Sequence, residues 1–112
     1  MAGEDVAVEE LERRGYKILH RNWRCRLGEL DIIALDGATL VFVEVKARRS
    51  SDYGFPAEFV DHRKRIRLER LARAFLTGAA GDLRDRPCRF DVVSVVIDGG
   101  RVSAVDVIVD AF

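Results

Sequence analysis

The sequence predicts an α/β sandwich, a mixed central sheet with helices packed on its faces. Three observations lead there. Two apolar, β-branched runs flank Asp36-Gly37, which is the pattern of a β-hairpin. Helical periodicity comes before that hairpin and again after it, so the chain reads helix, strand, hairpin, long helix, strand, strand. Arg89-Phe90-Asp91-Val92-Val93-Ser94-Val95-Val96-Ile97 is a nearly continuous apolar run, the composition of a strand covered on both faces.

The first helix is expected from about Gly3 to Arg14. Ala7, Val8 and Leu11 form its apolar stripe, and Gly15 is placed to stop it. Glu4 precedes those residues by three, four and seven positions, so it falls on the buried stripe. A first-turn acid is also favoured by the helix dipole. A short strand follows over Tyr16 to Arg24, with His20 structural and Trp23 in the core. Arg21, Arg24 and Arg26 lead into the next strand, where they are placed to contact phosphates.

The hairpin spans Gly28 to Lys46. With Asp36 and Gly37 as the loop, Asp31 opposes Phe42 and Glu29 opposes Glu44. Alternation then puts Glu29, Asp31, Glu44 and Lys46 on one face. Isolated charges in such apolar strands are costly unless paired or bound to metal. Three carboxylates and an ammonium suit a hard cation such as Mg²⁺ or Mn²⁺, which binds one or two carboxylates and completes its shell with water and phosphate. The alternative is a solvated face with cross-strand ion pairs.

A polar, Gly-containing loop then begins at Arg48-Arg49, where a basic mouth would hold a nucleic-acid backbone. A long helix is expected from about Pro56 to Leu76, with Val60, Leu68, Leu71, Ala72 and Phe75 as its stripe. Lys64 falls on that stripe, while Arg63, Arg65, Arg67, Arg70 and Arg73 mostly face solvent. Thr77 to Arg86 is a connector. Asp98-Gly99-Gly100 turns the buried strand into a last one over Val102 to Val109, and Asp91 is expected to pair structurally with Arg89 or another arginine, a supporting role at the metal site being the alternative.

Composition sets the limits. A chain of 112 residues is read as one domain, 1–112, able to bury a modest core. It is 48% hydrophobic and 34% charged, hence globular, and its net charge of zero argues against binding nucleic acid by bulk charge alone. There is no apolar run of about 18 residues, and the start is acidic where a signal peptide would be basic, so a cytoplasmic location is expected. Cys25 and Cys88 are expected to be free and half-buried.

Asp31 followed by Glu44-Val45-Lys46 across a hairpin resembles the PD-(D/E)XK nuclease core. Asn22-Trp23-Arg24-Cys25-Arg26, Gly28-Glu29-Leu30-Asp31, Phe42-Val43-Glu44-Val45-Lys46 and Arg89-Phe90-Asp91-Val92 together are similar to the YraN family of small bacterial proteins. That resemblance runs from Gly3-Glu4 to Ala111-Phe112. Leu30 stands where the name-giving motif has proline.

The resemblance implies a restriction-endonuclease-like three-layer sandwich, close in size to archaeal Holliday-junction resolvases. It also implies that Asp31 and Glu44 bind Mg²⁺ and that Lys46 serves the attacking water. Glu4 and Glu29 are accessory acids, and Arg24, Arg26, Arg48, Arg49 and Lys64 contact nucleic acid. A metal-dependent nuclease acting on DNA, branched or single-stranded, is the expectation, with self-association as a homodimer. The alternatives are a non-catalytic nucleic-acid-binding module and a protein-interaction module of the same fold.

Overall fold

Residues 2–49 and 61–112 are described by the computed structural model. The first helix, α1 (Ala2–Arg13), buries Ala7 and Leu11 fully and stops at Gly15, whose φ of 91° suits a residue without a side chain. Strands β1 (Lys17–Cys25), β2 (Gly28–Asp36) and β3 (Thr39–Arg48) follow, then α2 (His62–Gly78), a 3-10 turn, β4 (Cys88–Asp98) and β5 (Arg101–Ile108). The five strands lie in sequence order in one sheet, antiparallel except for the parallel pair β3–β4, across which α2 makes the connection. The fold is therefore α/β, with a five-stranded mixed sheet and two α-helices among the described residues.

The two helices cover opposite faces. On the α1 side, Ala7 and Leu11 pack with Ile32, Ala34, Val41, Val43, Val93 and Val95. On the α2 side, Leu68, Leu71 and Phe75 pack with Leu30, Ile33, Leu40 and Phe42. Phe75 meets His20, Trp23 and Phe42 edge-on at 5.4, 5.3 and 6.0 Å between centroids, and Trp23, expected in the core, is half-buried at its edge while His20 is exposed. Asp91 through Val96 are all buried, as the apolar run requires.

Three expectations are corrected. The hairpin turn is Gly37-Ala38, one residue later than Asp36-Gly37, because Asp36 pairs with Thr39 in the ladder. Gly37 alone takes a positive φ, 60°, as a turn with glycine at its first central position demands. Phe42 is paired with Ile33 and not with Asp31, and the ladder ends at Ile32↔Val43. Helix α2 begins at His62, after Asp61, whose extended backbone and carboxylate cap the helix by accepting the Lys64 N–H at 2.9 Å. The rest of its expected start, including Pro56 and Val60, lies outside the described residues. Cys88 is exposed and Cys25 half-buried, and both are free.

Each edge strand carries one extra residue. The register skips Leu19 in β1 and Ser103 in β5. Such bulges disfavour pairing with the edge of a second sheet. Among the described residues, no helix is long and apolar enough to cross a membrane.

Candidate functional site

The site is built where β1 and β2 change face. Arg21 and Ile32 oppose each other, and Ile32 belongs to the α1-side core; two steps on, Trp23 and Leu30 oppose each other and belong to the α2-side core. Strict alternation would keep residues 30 and 32 on the same face. The alternation breaks at the residues between these pairs, Asn22 and Asp31. Asn22 has a φ of 52°, in the left-handed region that asparagine tolerates better than most residues. Asp31, at the break, belongs to neither apolar cluster.

Asp31 Oδ2 accepts the Val45 N–H at 2.9 Å, a bond across the end of the β2–β3 ladder. Burial pushes its carboxyl up to about 6, the Val45 bond opposes the rise, and the neighbouring charges of Glu44 and Glu4 add to it. Acids from two other elements, Glu44 of β3 and Glu4 of α1, therefore act on Asp31. Glu4, on the buried stripe of α1 as its spacing predicts, is 2% exposed. Its Oε1 accepts from Asn22 Nδ2 at 2.7 Å and lies 3.5 Å from Arg21 Nε. The start of α1 sits against the end of β3, where a Cβ on Gly3 would lie 3.5 Å from the Ala47 Cβ.

Glu44, Lys46 and Arg48 alternate along β3 onto the α2 face. Glu44 Oε1 pairs with Lys64 Nζ from α2 at 3.2 Å, and both side chains are largely shielded. Arg48 Nε donates to the fully buried Ser94 hydroxyl at 3.4 Å. These groups gather toward the carboxyl ends of the parallel strands β3 and β4, the side on which open α/β sheets bind ligands.

Glu29 is not brought into this group. The break at Asp31 upsets the parity that placed it there, and its Oε2 instead accepts from Arg24 Nε at 2.7 Å. Arg24 is thus occupied by an acid at the end of the β1–β2 pair, and Arg26 lies exposed at the turn beyond it. Arg49 follows β3 and is exposed, while the rest of that loop lies outside the described residues. Lys64 is the cation on the core stripe, as its spacing predicts, and Arg63, Arg65, Arg67, Arg70 and Arg73 are exposed.

The spacing of residues did not point to Asn22. Its signal is type and place, since asparagine in the middle of a strand marks a left-handed position. Asn22→Val should cost about 2–3 kcal/mol in a urea melt, because a β-branched residue is strained at this φ and the Glu4 bond is lost. Asn22→Gly should recover the conformational share and leave about 1 kcal/mol.

Among the described residues, no three His, Cys, Asp or Glu side chains converge into a cation site made wholly of protein. The donor set that is present, the carboxylates of Asp31 and Glu44 on adjacent strands, fits a cation that keeps its waters and takes only one or two carboxylates.

The model of the uncharacterised protein family UPF0102 matches residues 3–95. A UPF0102 protein of Moorella thermoacetica is 52% identical over 111 residues, 98% of this chain and 91% of its own length. One from Caldicellulosiruptor bescii is 45% identical over 112 residues, covering 98% and 92%. Another, from Ectopseudomonas mendocina, is 49% identical over 98 residues, covering 88% and 82%. The chain belongs to the UPF0102 family, the YraN-like proteins that its motifs resemble.

Proposed function

We propose that the protein is a metal-dependent nuclease that hydrolyses phosphodiester bonds in DNA. One observation carries the reading. Asp31 and Glu44 lie on adjacent strands just beyond the last pair of the ladder, Ile32↔Val43, where the Val45 N–H reaches the Asp31 carboxylate, and Lys46 follows Glu44 by two residues. The order of helix, hairpin, crossover helix and strand supports it by resembling the restriction-endonuclease-like sandwich.

Asp31 and Glu44 would hold the cation, Mg²⁺ or Mn²⁺. Bound there, it supplies Lewis-acid polarisation of the phosphate and lowers the pKa of a coordinated water. The Val45 N–H fixes one oxygen of Asp31, so that its carboxylate is oriented before anything binds. Lys46, on the same strand face as Glu44, orients the attacking water and stabilises charge developing on the phosphate. The water oxygen gives up a proton to solvent as it bonds to phosphorus, the phosphorus–oxygen ester bond on the opposite side breaks, and the leaving oxygen takes up a proton from solvent. Arg48 and Arg49, at the exit of β3, hold the flanking backbone.

The test is cleavage of a panel of duplex, single-stranded and branched DNA with Mg²⁺ or Mn²⁺. Glu44→Ala should lose at least about a thousandfold in rate while still binding DNA. DNA binding with no metal-dependent cleavage anywhere on the panel would replace this reading with a non-catalytic binding module.

A further inference from the structure

Lys64 offers a second cation to the acid that the proposed function assigns to metal. It reaches Glu44 from α2, an element that contributes neither carboxylate, and its ammonium lies 3.2 Å from Glu44 Oε1. The pair is not a surface contact, since the side chains are 19% and 14% exposed. Its geometry is held from both ends. Glu44 sits in the β3 ladder beside Val92 of β4, and the Lys64 backbone N–H is tied to the Asp61 cap.

The acids around Glu44 need positive charge. Glu44 and Glu4 both act on Asp31, and Glu4 has its own partners in Asn22 and Arg21. Lys64 serves the Glu44 edge of that group. Two cations can share one carboxylate only weakly at such range, because each repels the other.

We infer that Lys64 is an internal counter-cation, which holds Glu44 until a divalent cation takes that carboxylate. This rests on the cation reading above and adds to it an exchange: the incoming metal must displace the ammonium from Glu44. Lys64 then leaves the acid and turns a positive charge toward the mouth of the site, where a phosphodiester would lie. Metal affinity is therefore lower than the carboxylates alone would give. Because cation binding and Lys64 release are one equilibrium, any anion that draws Lys64 away from Glu44 strengthens metal binding.

The test compares wild type, Lys64→Met, Lys64→Arg and Glu44→Gln by thermal melts over a Mn²⁺ titration, with Mn²⁺ affinity read in parallel by electron paramagnetic resonance of free Mn²⁺. Lys64→Met keeps the stem and the helix propensity but removes the charge. It should melt lower than wild type without metal, gain more from Mn²⁺, and bind Mn²⁺ about five- to tenfold tighter. Lys64→Arg should behave like wild type. An ion pair with a structural role only would lower the melting temperature equally with and without Mn²⁺. Equal Mn²⁺ affinity in wild type and Lys64→Met, lost in Glu44→Gln, would overturn the exchange and leave the cation site standing. No Mn²⁺ binding by wild type or Lys64→Met would overturn both.

Discussion

Arg89→Met is expected to cost about 3–5 kcal/mol, much of the 5–15 kcal/mol that stabilises a domain of this size. Asp91 is fully buried at the start of β4 and is a charge the core can hold only with partners. Arg89 donates to it through Nε at 2.8 Å and Nη2 at 2.9 Å. The same Nη2 reaches Tyr16 at 2.9 Å and Asp36 at 2.9 Å. Tyr16 donates its hydroxyl to Asp91 at 2.7 Å, and the Asp110 N–H completes the shell at 3.0 Å. Removing the guanidinium leaves a buried carboxylate with the phenol and one amide, and no counter-charge.

Urea midpoints measure the loss, and a change under about 1 kcal/mol would mean that the buried carboxylate does not depend on this guanidinium. The alkaline side gives an independent check. Burial, and then the bond to Asp91, push Tyr16 up to about 12 from its usual 10. A raised value favours the neutral phenol in the folded state. The stability this provides is complete below pH 10 and is lost as pH rises toward 12. Tyr16→Phe should remove that alkaline decline and cost about 1 kcal/mol near neutrality, the worth of one hydrogen bond.

Asp31→Asn is expected to move stability the other way. The Asp31 carboxyl, raised to about 6, ionises less readily in the folded chain than in the unfolded one, where it titrates near 3.8. For this group, stability is complete below about pH 4, falls as pH rises through 6, and stays lost at neutral pH. Asparagine can still accept the Val45 N–H, and it removes the charge that burial, Glu44 and Glu4 disfavour. With the shift discounted for solvent, Asp31→Asn should gain about 1–2 kcal/mol at pH 7.5 and little at pH 4.5. Millimolar Mg²⁺ should stabilise wild type at pH 7.5 and leave the variant unmoved. Melts of both proteins at the two pH values, with and without Mg²⁺, decide it. A variant less stable than wild type at pH 7.5 would show that Asp31 is held by its bonds rather than crowded by its neighbours.

Periodicity and residue type were enough to place most of the secondary structure. Gly15 ended α1, Val92 to Val96 read as a buried strand, and Lys64 and Glu4 fell on core stripes, because each of these depends on neighbours within a few residues. The turn slid by one residue because Asp-Gly and Gly-Ala both offer the glycine that a tight turn needs, and only the pairing of Asp36 with Thr39 chose between them. Glu29 was grouped with the acids because alternation was carried through position 31, where the strand breaks it.

By itself, then, the sequence determined the order of the elements, the two buried faces and the family. Those rest on backbone periodicity and on motifs that lie close along the chain. Only the tertiary structure decided which charges meet. It joined Arg89 and Asp91 to Tyr16, which precedes Asp91 by 75 residues, and it set Lys64 on Glu44 and Glu29 on Arg24. The reason is geometric. A side chain's partner depends on where strands kink and how the crossover brings distant segments together, and neither is encoded in the spacing of residues around it.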